Sequence, residues 1–135
     1  MTQFENYDAL VVEDDVSGLA IISVMLRRLG MRTMMERYAS SVVERAQRMP
    51  KVDVVFLDIG LPDGDGYQVL KALRTLPELN QVPIIAVTAR DAATEMVKAQ
   101  EAGFDGFLGK PLNRNRFPDQ VRRILAGESV WEVYR

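Results

Sequence analysis

At 135 residues the chain suits one compact domain and leaves little room for a second. Its 47% apolar and 27% charged residues are ordinary for a globular protein, and a net charge of −2 without a basic block argues against direct nucleic-acid binding through a broad cationic face. Cysteine and histidine are both absent, which excludes disulfides, thiolate metal sites and an imidazole base, so any phosphohistidine must come from a partner.

The chain opens on MTQFENYD, polar and acidic, unlike a signal or transit peptide. No apolar run approaches the roughly 20 residues of a membrane helix. The sequence therefore predicts a cytoplasmic location without membrane contact.

Residues 9–12 form the first apolar run, and 52–57 and 83–87 repeat it. These runs are continuous rather than alternating, as suits parallel strands buried on both faces. Weaker strand candidates lie at 32–35 and 106–108. Between them fall helical segments at 16–29, 41–48, 66–73, 92–102 and 117–125, with Gly30 and Gly103 placed to end the first and fourth. Pro118 is compatible only with the first turn of the last helix, which predicts a start near Phe117 or a kink there. Strand and helix thus alternate five times. That order predicts an α/β fold, a doubly wound five-stranded parallel sheet of order 2-1-3-4-5 with helices on both faces. We place one domain at 1–127 and a tail at 128–135, which departs from the helical pattern and carries Trp131 and Tyr134.

In open sheets of this kind, ligands bind beyond the carboxyl ends of the strands. Glu13, Asp14 and Asp15 follow the first run, Asp58 closes the third, Thr88 follows the fourth, and Lys110 with Pro111 follows the fifth. Clustered carboxylates repel and need a cation or protons. Oxygen ligands suit Mg²⁺, a lysine adds a fixed positive charge, and a threonine hydroxyl can donate to a phosphoryl oxygen. The set therefore points to a site that accepts a phosphoryl group, where positioning and charge neutralisation do most of the chemistry. Each residue alone has a plainer role. Asp15 equally suits the N-cap of the first helix, Thr88 a cap or turn, and Lys110 a solvated surface position. Asp58 is harder to explain away, because an unpaired buried carboxylate is costly.

LVVEDD at 10–15, FLDIGLPDGDG at 56–66, IIAVTA at 84–89 and the Lys110–Pro111 pair resemble the receiver domain of bacterial response regulators, and the spacings between them are similar to the family's. The resemblance implies a two-component or phosphorelay signalling module. In it Asp58 takes a phosphoryl group from a histidine kinase or histidine phosphotransfer protein and forms an aspartyl phosphate. It implies Mg²⁺ bound directly by Asp14 and Asp58 and by the backbone carbonyl of Gly60, with Glu13 acting mostly through water. Lys110 would pair with the phosphoryl group across a cis peptide to Pro111. Thr88 and Phe107 would form the switch, and the surface of the fourth helix, fifth strand and fifth helix would bind a downstream protein or a second copy. Gly60 and Arg90 occupy the positions that tune dephosphorylation. Phe107 stands where tyrosine is common and lacks its hydroxyl. No enzyme activity is implied beyond self-phosphorylation and self-dephosphorylation. An aspartate-nucleophile phosphatase of the haloacid dehalogenase kind would need an acid two residues after the nucleophile, where Gly60 stands. A pseudo-receiver would lack part of the acid, threonine and lysine set. A nucleotide-binding flavodoxin-like module would need a glycine-rich phosphate loop after the first strand. A receiver cut from a hybrid kinase or a longer regulator fits the sequence as well as a separate protein does.

Overall fold

The computed structural model describes residues 4–133. Six strands form the main sheet: β1 (Asp8–Val12), β2 (Arg32–Glu36), β3 (Val54–Leu57), β4 (Ile84–Thr88), β5 (Gly106–Gly109) and β6 (Val130–Glu132). Five helices connect them: α1 (Val16–Arg28), α2 (Val42–Arg48), α3 (Gly66–Arg74), α4 (Ala92–Ala102) and α5 (Phe117–Leu125). The strand order is β2-β1-β3-β4-β5-β6 and every adjacent pair is parallel. A two-residue hairpin, Gly60–Leu61 against Gly64–Asp65, shapes the loop between β3 and α3.

The apolar runs explain this layering. Every residue of β1, β3 and β4 is buried, because each strand lies in the sheet interior with helices on both faces. Alternate side chains feed two cores. Leu10, Val12, Val55, Leu57 and Phe107 join Leu70, Leu73 and Ala99 of α3 and α4. On the opposite face, Ala9, Val11, Phe56 and Val87 join Ile22, Leu26, Phe117 and Val121 of α1 and α5. The Phe56 and Phe117 rings meet there at 5.7 Å. β2 at the edge is partly or fully exposed along its length, which accounts for its weak apolar signal.

Local signals set the helix ends. Asp15 caps α1, accepting from the Gly18 N–H at 2.9 Å, and Asp65 caps α3, accepting from the Tyr67 N–H at 2.7 Å. Gly103 closes α4 at φ 105°. Pro118 falls in the first turn of α5, which starts at Phe117 as expected and needs no kink.

The strand count departs from expectation. The segment set apart as a tail contributes β6, so the sheet has six strands rather than five. A three-residue strand is too short to show periodicity, and Val130, Trp131 and Glu132 point to different surroundings. Backbone shape makes room for it. A Cβ on Gly106 would lie 2.6 Å from the Val130 carbonyl oxygen, so only glycine admits this approach. Tyr134 lies outside the described residues.

Candidate functional site

Backbone bonds between strand ends bring the polar residues together. The Glu13 N–H donates to the Glu36 carbonyl at 3.0 Å, and the Asp58 N–H to the Val12 carbonyl at 2.9 Å. The Lys110 N–H donates to the Thr88 carbonyl at 2.9 Å. The carboxyl ends of β1, β3, β4 and β5 are thereby held in register along one rim.

Glu13, Asp14 and Asp58 converge there, with one carboxylate oxygen from each lying within 4.8 Å of the others. Glu13 is 1% exposed and Asp58 8%, whereas Asp14 is half-buried. The Lys110 ammonium is hydrogen-bonded to Glu13 Oε1 and lies 3.3 Å from Asp58 Oδ2. Burial alone would depress the lysine's pKa, but the Glu13 hydrogen bond and the charges of Asp58 and Glu13 outweigh it and hold the pKa above its ordinary value. Burial and the neighbouring Asp58 push Glu13 upward, against the opposing pull of Lys110. Three carboxylates thus converge, and the one ammonium among them pairs with only Glu13 and Asp58. The imbalance suits a divalent cation with oxygen ligands, and the donor set fits Mg²⁺.

The peptide between Lys110 and Pro111 is cis. Thr88 is 2% exposed and its Oγ1 accepts from the Arg90 N–H at 3.1 Å. The Gly60 N–H, at the start of the hairpin, donates to Asp58 Oδ1 at 3.2 Å and steadies the carboxylate. Phe107 is fully buried on the α4 side of β5, away from the carboxylate cluster. Asp15 is not one of the three clustered carboxylates: its side chain caps α1, while its N–H donates to Glu13 Oε2 at 3.4 Å.

Three features were not visible in the sequence. The Arg90 guanidinium lies over Gly60, where an added Cβ would meet its terminal nitrogen at 3.4 Å, so the two positions are neighbours. Arg90 also lies 3.7 Å from Glu95, which accepts from the Tyr67 hydroxyl at 2.6 Å; burial and that hydrogen bond raise the phenol's pKa. Gly66 packs against the backbone that follows β3, with an added Cβ only 2.6 Å from Ile59 Cα and 2.8 Å from the Asp58 carbonyl oxygen. Only Gly66 carried a signal, as the last residue of the DGDG run.

Among the described residues no helix is long and apolar enough to cross a membrane. Residues 9–122 match the family model of the response regulator receiver domain. The chain is 31% identical over 121 residues to the signal transduction histidine-protein kinase BarA of Escherichia coli strain K12, covering 90% of this chain and 13% of that protein. It is 32% identical over 124 residues to the KDP operon transcriptional regulatory protein KdpE of the same strain, covering 91% of this chain and 53% of that one. The chain therefore spans no more than about half the length of these curated relatives. Among solved structures, the receiver domain of sensor histidine kinase PA1611 from Pseudomonas aeruginosa PAO1 superposes with a TM-score of 0.80 at 30% identity, over 89% of this chain and 98% of that one. That structure holds a magnesium ion coordinated in its active site cleft. The match along nearly the whole chain, on a doubly wound sheet with this rim of residues, shows that the chain belongs to the response regulator receiver domain family, the phosphoacceptor signalling module of two-component systems.

Proposed function

We propose that Asp58 is the phosphoacceptor and that its donor is the phosphohistidine of a histidine kinase or histidine phosphotransfer protein. One observation carries this reading. Asp58 ends a fully buried strand, yet its carboxylate opens into a cluster with two further carboxylates and one lysine. An Asp58 oxygen attacks phosphorus, the P–N bond breaks, and the proton needed by the departing imidazole comes from solvent or the partner. Lys110, already 3.3 Å from Asp58, swings from Glu13 toward the added phosphoryl oxygens. Thr88 turns its hydroxyl from Arg90 to another of those oxygens.

Mg²⁺, when bound, neutralises phosphoryl charge and orients its oxygens. Asp14, Asp58 and the Gly60 carbonyl would hold it. Glu13 supports it at one remove, since its carboxylate is committed to Lys110. The family is a signalling switch rather than a conventional enzyme, and the chemistry expected here is self-phosphorylation and self-dephosphorylation. The partner surface is the face of α4, β5 and α5, whose β5 edge carries β6, for a downstream protein or a second copy. Similarity to BarA favours a receiver within a longer kinase, and similarity to KdpE one joined to an output region; the rim would work alike in both. Position 60, where a haloacid-dehalogenase-like phosphatase needs an acid, is glycine.

Incubation with acetyl phosphate and Mg²⁺ is expected to add one phosphoryl group by intact mass, and Asp58→Asn to abolish it. Undiminished labelling of that variant would move the phosphoacceptor elsewhere.

A further inference from the structure

The rim does not account for β6. This strand lies along the outer edge of β5, with Trp131 beside Phe107 and Glu132 beside Leu108. Trp131 and Val133 pack on the α4-side core that contains Phe107, so Trp131 stands between that ring and the sheet's open edge. Beyond the ladder, Glu132 accepts from Gln120 at 3.0 Å and from Arg123 at 2.7 Å, which ties β6 to α5. The contact continues to the functional rim. A Cβ on Gly109 would meet both Val133 methyl groups at 3.1 Å, and Gly109 is the residue before Lys110 and the register partner of Thr88. Val133 therefore rests on the backbone that aims the lysine.

We propose that β6 is a strap on the β5 edge whose docking is coupled to the phosphoryl state of Asp58, docked when the site is empty and released when it is loaded. The proposal rests on Asp58 as the phosphoacceptor. In the docked arrangement Lys110 is bonded to Glu13 and Thr88 Oγ1 to the Arg90 N–H, so docking coexists with a threonine turned to its own loop. A phosphoryl group adds nearly two negative charges and draws both side chains toward Asp58. The pull on Lys110 and Thr88 passes to the Gly109–Lys110 backbone, where the Lys110 N–H is bonded to the Thr88 carbonyl, and a packed contact such as Gly109 against Val133 does not deform smoothly. β6 is the shortest strand of the main sheet and lies at its edge, so its detachment breaks ladder bonds on one side only. Its release opens the β5 edge, lined by Gly106 and Gly109, and uncovers Phe107. Coupling is reciprocal, so loosening the strap must favour loading.

Trp131 is the only tryptophan in the chain, so its fluorescence reports the strap directly. In the full chain, loading with acetyl phosphate and Mg²⁺ is expected to shift its emission to longer wavelength. The same loading should speed amide exchange across 130–132 by about tenfold or more. Asp58→Asn should show neither change. Glu132→Ala, which removes a half-buried tie outside the apolar cores, should raise phosphoryl occupancy at limiting acetyl phosphate about two- to fivefold. Loading confirmed by intact mass with unchanged emission and exchange overturns the strap alone. Absence of any loading overturns the phosphoacceptor reading and the strap with it.

Discussion

Gly60 would leave the Asp58 carboxylate open to water, but the Arg90 guanidinium lies over that glycine. Arg90 is exposed but lies 3.7 Å from Glu95, a pairing that places its guanidinium as a side wall beside the site. Removing the wall should admit hydrolytic water. Arg90→Ala is expected to shorten the aspartyl phosphate lifetime several-fold while leaving the initial labelling rate near that of the unaltered chain, read from the decay of intact mass after acetyl phosphate is removed. An unchanged lifetime would show that water reaches the phosphoryl group by another route. The identity of the rim residues was legible because each follows an apolar run, and the end of a buried strand is where a polar residue can first reach solvent. Their partners were not. Lys110 and Glu13 stand far apart along the chain and meet only because β5 and β1 end on one rim. Arg90 lies over Gly60 because the β4–α4 loop folds back toward the hairpin after β3.

At the level of elements, the helices and interior strands followed the sequence to within a residue or two at most ends, since burial on both faces enforces the apolar runs that mark them. The additional strand of the main sheet, β6, is stabilised by neighbours rather than by its own pattern: glycines in β5, an arginine and a glutamine on α5. The junction of β3 and α3 has a similar dependence. Gly66 begins α3 while its N–H donates to the Ile59 carbonyl at 2.8 Å, and the helix sits directly on the acceptor loop. A methyl group at this point has only backbone to push against. Gly66→Ala is therefore expected to destabilise the fold by about 1–3 kcal/mol, measured by urea unfolding, and to weaken labelling of Asp58 by displacing its loop. Full stability together with full labelling would show that the loop yields more readily than its packing suggests.

For the whole molecule, the α5–β6 seam gives stability a pH dependence that can be separated from that of the rim. Glu132 is held below its ordinary value by the Gln120 hydrogen bond and then by Arg123, with Arg116 adding positive charge nearby and partial burial opposing. A carboxyl with a lowered folded-state pKa stabilises the docked strand fully above the ordinary glutamate value of 4.5, and that contribution is lost as pH falls through the lower folded value. Trp131 emission should accordingly move to longer wavelength below about pH 4.5, before global unfolding. Asp119 shares Arg123 and is also held low, so Glu132→Gln serves as the control. If that variant keeps the same acid transition, Glu132 is not its origin.

The brevity of β6 also bears on how the molecule behaves in concentrated solution. An unpaired strand edge is a template for another chain, and its hazard grows with the length of ladder on offer. With β6 in place, that side of the sheet ends on three residues, one of them an anchored glutamate. The opposite side ends on β2, which begins and ends in charged side chains, Arg32 and Glu36. Both borders are thus poor seeds for intermolecular sheet growth, and the chain should remain colloidally stable despite a net charge of only −2.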